Sequence, residues 1–204
     1  MPEPRIHRTR LVSRRGFTLA ELLVSLALIA LLAAVLIPTV AGQLLKGDAG
    51  RVASDLNAVQ AGIETFLADI HRYPGKYSDL TKVITTTTAT HKDILGNGYT
   101  AGLVSKWKGP YVTKDTTTNS GTGGTVVTGF GGLIINTFQS VANTNGVNYV
   151  AVVITGISSA DFDKIDEQID GTPSGGATTG LLRWVTGGGG GVPDTVKFLA
   201  IPIQ

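Results

Sequence analysis

A chain of 204 residues, 42% hydrophobic and without cysteine, has room for one ordinary domain plus an appended element. Residues 1–16 hold five arginines and one glutamate, so from Phe17 onward 12 basic residues face 14 acidic ones and no basic patch is left for DNA or RNA. Without disulfides, a domain outside the cytoplasm must be held by core packing, a metal or its neighbours.

In chain order, residues 1–16 are polar and basic and read as an unstructured extension, in which His7 has no specific role. Arg14, Arg15 and Gly16 then run into an apolar stretch that ends at Pro38. Leu22 to Ile37 carries one polar side chain, Ser25, and the only charge inside the stretch is Glu21. At about 1.5 Å per helical residue, Phe17 to Ile37 spans the hydrocarbon core of a bilayer. This is a membrane helix with a carboxylate in its first turn. A lone carboxylate at the bilayer centre costs about 2.5–3.5 kcal/mol on insertion scales, so Glu21 needs a partner that the stretch does not supply. Thr18, Glu21 and Ser25 share one narrow stripe.

Three plainer readings compete. A signal anchor explains the arginines and the apolar run but not Glu21. A secretory signal cut near Val40-Ala41-Gly42 needs a shorter, acid-free apolar core. Pairing of Glu21 with Arg14 or Arg15 would end if the chain were cut at Gly16, which would leave a new α-ammonium on Phe17, one turn before Glu21.

Pro38 removes a backbone donor and crowds the carbonyl of Ala34, which predicts a kink or local melting. Together with Gly42, Gly47 and Gly50 it makes residues 35–50 a bendable joint. Val52, Leu56, Val59, Ile63, Phe66 and Ile70 then recur at steps of four and three, with Asp55, Glu64 and Asp69 on the other face. This predicts an amphipathic helix over residues 48–72 that lays one stripe on a folded head. Tyr73-Pro74-Gly75 ends it near Arg72.

Residues 76–125 read as variable loops with a short helix around Tyr77–Val83, a Thr-rich tract at 85–90 and a polar surface loop at 113–125. Residues 126–204 read as sheet: Val126-Val127, Leu133–Phe138, Tyr149–Ile154, Leu181–Val185 and Val196–Ile203 are strand candidates. A short helix is expected over Ser159–Ile169 and a flexible loop over Gly187–Gly191. The expected fold is α+β, a long N-terminal helix packed on a small antiparallel sheet. Its divisions are 1–16, a membrane helix at 17–45 and a head at 46–204.

Catalytic patterns are missing. There is no G-x-S-x-G elbow, phosphate-binding glycine loop or zinc spacing, and His7, His71 and His91 are scattered. No enzymatic activity is expected. Asp161, Asp163, Asp166, Glu167 and Asp170 could in principle supply oxygens to calcium. They fall on the short helix, however, and read as a solvated acidic face with Asp161 helping to cap it, so no tight calcium site and no other cofactor is expected.

The run G-F-T-L-A-E-L-L, Gly16 to Leu23, resembles the prepilin signature of type IV pilins and type II secretion pseudopilins. The resemblance implies cleavage after Gly16 by a prepilin peptidase, methylation of Phe17, an assembly role for Glu21 and a helix-kinking proline at Pro38. Trp107-Lys108-Gly109-Pro110-Tyr111 resembles a segment of major pseudopilins, and ADFDKIDEQIDG followed by GLLRW is similar to their C-terminal segments. Pseudopilins of this kind carry a calcium site in a C-terminal loop, but this chain lacks the glycine-rich acidic loop expected for it. The lack of cysteine favours a pseudopilin-like member over a disulfide-looped pilin. The implied fold is pilin-like. The implied partners are a homo-oligomeric filament, other pilins or pseudopilins, the peptidase, an inner-membrane assembly platform and the inner membrane, with no nucleic acid. The implied placement is single-pass in the inner membrane, N-terminus cytoplasmic and head extracytoplasmic. The alternatives are an adhesive or DNA-uptake pilin and, from another class, a membrane-anchored enzyme or receptor.

Overall fold

A computed structural model describes residues 16–86, 91–116, 125–171, 178–187 and 194–204. Most of residues 1–16, the end of the Thr-rich tract, residues 117–124 of the polar loop and most of Gly187–Gly191 lie outside the described residues. The chain forms two compact units, Met1–Gln43 and Leu44–Gln204. Helix α1, Leu19–Ile70, contributes to both.

In the first unit α1 is apolar and bare. Its large side chains are exposed, Leu31 at 65% and Ile37 at 68%. By length and composition this is the one described helix able to cross a membrane. Pro38 lies inside it, and the helix continues through the proline instead of melting. Thr39 Oγ1 donates to the Leu36 carbonyl at 2.8 Å one residue further on.

In the second unit the alternating steps of four and three do what they predict. Val52, Leu56, Val59, Ile63, Phe66 and Ile70 are all buried, with Ala49 extending the stripe. The stripe joins one core with Tyr77, Leu80, Ile134, Val152, Ile154, Ile165 and Phe198. The helix closes at Ile70, two residues before the expected end. His71 takes a left-handed φ of 58° and donates its N–H to the Leu67 carbonyl at 2.8 Å.

Two four-residue helices follow, α2 at Ser78–Thr81 and α3 at Ala101–Val104; the sequence signalled only the first. The strands are β1 Thr125–Val127, β2 Leu133–Ile135, β3 Gln139–Ala142, β4 Asn148–Thr155, β5 Leu182–Val185 and β6 Thr195–Pro202. Their order is β1-β2-β4-β6-β5, every pairing antiparallel, and β2 and β3 share one edge of β4. The central pair β4–β6 is the apolar heart of the sheet, as a strand covered on both faces should be: Val150 to Ile154 are all buried. Helix α4, Ser159–Asp170, packs its Phe162 edge-on to Trp184 of β5 at 5.5 Å.

The run read as one strand, Leu133–Phe138, is broken in the structure. At Asn136 the chain leaves β2 to pair with the segment after α1: the Asn136 carbonyl accepts from Tyr77 N at 2.7 Å and its side chain from Ser78 N at 2.8 Å. Strand β3 begins after this detour and forms a hairpin with β4.

Candidate assembly site at the helix N-terminus

Thr18 precedes the first residue of α1, and its backbone and hydroxyl both turn toward Glu21. Thr18 N and Thr18 Oγ1 each donate to Glu21 Oε2 at 2.9 Å, and Glu21 N donates back to Thr18 Oγ1 at 3.2 Å. This T-x-x-E pair is a reciprocal capping box, which satisfies backbone donors that a helix start otherwise leaves open. Sequence reading placed Thr18 and Glu21 on one stripe but missed the box. The T-x-x-E spacing was the signal that would have revealed it.

The box uses one carboxylate oxygen only. Among the described residues nothing donates to Glu21 Oε1, and Glu21 is exposed with Phe17 beside it at 82% exposure. Ser25, next on the stripe, turns inward and donates to the Glu21 carbonyl at 2.7 Å. Its hydroxyl is thereby committed to the helix backbone. Gly16, Phe17 and Glu21 thus sit together at the start of the apolar helix, whereas Pro38 lies seventeen residues beyond Glu21 and outside this site. An acceptor oxygen, held in place and aimed out of an apolar helix, is suited to take a cation in a setting poor in water.

The acidic residues of α4 are arranged differently. Ser158, not Asp161, is the N-cap, accepting from Asp161 N at 3.2 Å while its hydroxyl donates to the Asp161 carboxylate at 2.6 Å. That hydroxyl, and then Lys164 at 2.9 Å, hold the Asp161 carboxyl below its usual range. Asp170 accepts from Leu181 N and Leu182 N, at 3.1 and 3.0 Å. Asp166 is buried, while Asp163 and Glu167 face solvent. Among the described residues no three His, Asp or Glu side chains converge as a metal site would require.

One polar cluster escaped sequence reading. His91 Nδ1 lies 2.6 Å from Asp79 Oδ1, both buried, and Asp79 Oδ2 accepts from Gly75 N and Lys76 N at 3.2 and 3.1 Å. Burial first, and then the negative charge of Asp79, push the Tyr99 hydroxyl well above its ordinary pKa. The cluster ties the turn after α1 to the segment at 91–99, a structural role. A histidine twelve residues beyond an aspartate, on irregular chain, carries no spacing that announces it.

A long N-terminal helix with a bare apolar half, followed by an antiparallel sheet, gives the chain a pilin-like α+β architecture, with a glycine–phenylalanine junction and a carboxylate one turn on at the helix start. The prokaryotic N-terminal methylation motif matches residues 12–37. Type II secretion system core protein G of Klebsiella michiganensis is 34% identical over 73 residues, 36% of this chain and 51% of that one. Its counterpart in Escherichia coli K12 is 31% identical over 75 residues, 37% of this chain and 52% of the relative. That of Aeromonas hydrophila is 28% identical over 99 residues, 47% of this chain and 69% of the relative. The chain is therefore homologous to these secretion-system core proteins, and it spans about half the length of the first relatives it matches. No solved structure matches it. The apolar helix and this homology fit a protein anchored in the inner membrane.

Proposed function

We propose that the chain is a structural subunit of a type II secretion pseudopilus or a closely similar filament. It inserts with its N-terminus in the cytoplasm and its head outside, and a prepilin peptidase cuts after Gly16. Phe17 is methylated, and an inner-membrane assembly platform adds the subunit to the filament. The observation that carries this reading is the capping box, which engages Glu21 Oε2 and leaves Oε1 open at the start of a helix whose apolar surface is wholly uncovered.

In the filament, Oε1 accepts from the α-ammonium of Phe17 in a neighbouring copy. A carboxylate left alone in lipid is costly, and so is an ammonium; joining them removes both costs at once. Apolar helix surfaces then pack together and supply most of the cohesion, because pairing selects the register while van der Waals contact holds it. The test is Glu21→Ala in cells that express the assembly machinery. Cleavage should remain, as judged by migration on a gel, while filaments sheared from the cells fall to background. Normal filament yield from Glu21→Ala would overturn the pairing role.

A further inference from the structure

The stem half of α1 carries a second regular feature beside its buried stripe. Asp48, Asp55, Gly62 and Asp69 are spaced by seven, each one residue before a member of the buried set Ala49, Leu56, Ile63 and Ile70. A spacing of seven keeps all four on one flank of the helix. Along this flank runs the segment Trp107 to Lys114, in the opposite direction. Lys108 Nζ and Tyr111 Oη meet the Asp69 carboxylate at 3.0 and 3.1 Å. Midway, Gly62 clears the segment: a Cβ there would lie 2.6 Å from Val112 Cγ1 and 3.2 Å from the Tyr111 carbonyl oxygen. At the far end Lys114 Nζ reaches Asp55 Oδ2 at 2.5 Å, and the same oxygen accepts from Thr128 Oγ1 at 2.8 Å. The next residue, Gly129, lies so close over the Asp48 carbonyl that a Cβ would overlap it.

We propose that residues 107–114 form a strap fastened along this flank chiefly at Asp55, and that the strap releases from the stem as a unit while the sheet stays folded. Each carboxylate binds two groups, but the contact at Asp55 dominates because its Lys114 is 39% exposed, against 75% for the Lys108 of the Asp69 pair, which solvent screens more. The strap's other hydrogen bonds, Trp107 Nε1 to the Asp79 carbonyl at 2.9 Å, Trp107 N to the Val104 carbonyl at 3.2 Å, Tyr111 N to the Leu80 carbonyl at 2.7 Å and Tyr77 Oη to the Lys114 carbonyl at 2.9 Å, run to α2, α3 and the turn before α2 and not to the sheet. Few bonds join the strap to β4 and β6, which is the property that lets one region open alone. The proposal holds whether or not the chain assembles into filaments.

Hydrogen exchange of the full chain in detergent micelles tests it. Asp55→Ala should raise exchange at Val112, Thr113, Lys114 and Thr128 at least tenfold and leave β4 and β6 amides unchanged. Lys114→Met, a milder change at a half-exposed residue, should raise exchange at Val112 to Lys114 but not at Thr128. Unchanged exchange in the strap of both variants would overturn the proposal. So would a rise spread equally over β4 and β6, because the strap would then open only with the whole head.

Discussion

Between Leu22 and Ile37 every large apolar side chain of α1 is exposed, whereas between Val52 and Ile70 those at steps of four and three are almost wholly buried. Hydrogen bonding does not distinguish these stretches, since both belong to one helix. Pattern does. The stem half alternates polar and apolar positions because its own head covers a single stripe. The N-terminal half is apolar all round, so lipid, or other copies, must cover it from every side. The lone carboxylate of that half stands at its very start, where a capping box keeps it ordered.

The contrast can be broken most forcefully in the core. Phe66 is fully buried, with its ring edge-on to Tyr111 at 5.6 Å and to Tyr99 at 6.1 Å. Phe66→Ala should cost the head about 3–5 kcal/mol in chemical denaturation. Leu31→Ala, a deletion in the bare half, should leave the head's unfolding midpoint where it was. A next, smaller effect reverses the two halves. Leu28→Arg should weaken membrane retention by roughly 2.5–3.5 kcal/mol, read as protein shifted from the membrane to the soluble fraction. Ala61→Arg, on the exposed face of the stem, should change neither retention nor stability by more than about 0.5 kcal/mol.

Two finer tests stay within the head. Ser158→Ala removes the N-cap of α4 and should cost about 1 kcal/mol, measured as a lower denaturation midpoint. The smallest effect is acid sensitivity. The Lys108 hydrogen bond holds the Asp69 carboxyl below its usual range, with Tyr111 and His71 also facing it. A carboxyl with a lower pKa folded than unfolded stabilises the fold above its unfolded value of about 3.9 and loses that contribution as pH falls through the folded value. Thermal scans from neutral pH downward should therefore show a loss near pH 4 and below that Asp69→Asn makes shallower.

The N-terminal helix, the all-round apolar character of its first half and its buried stripe were legible because residue type and spacing along one helix define them. Tyr149–Ile154 and Ser159–Ile169 were legible for the same local reason. Strand β3 was not, since Gln139-Ser140-Val141-Ala142 has little strand character and is held by pairing with β4. The clearest misreading concerns Asp55 and Asp69. Periodicity assigned them, with Glu64, to the face opposite the buried stripe, and of the three only Glu64 is exposed. The other two are engaged by residues from distant parts of the chain, 39 to 73 positions away. Helical pattern tells which side of a helix is apolar. It does not tell which charged positions the rest of the chain will reach.

The central claim is that a freed amine on Phe17 and the open oxygen of Glu21 join neighbouring copies. Intact mass and N-terminal sequencing of the protein recovered from membranes of cells with a prepilin peptidase test it most directly. The account predicts a single species beginning at N-methylated Phe17. A mature protein that still begins at Met1, or at any residue other than Phe17, would contradict it, because the amine would then stand in the wrong place to meet Glu21.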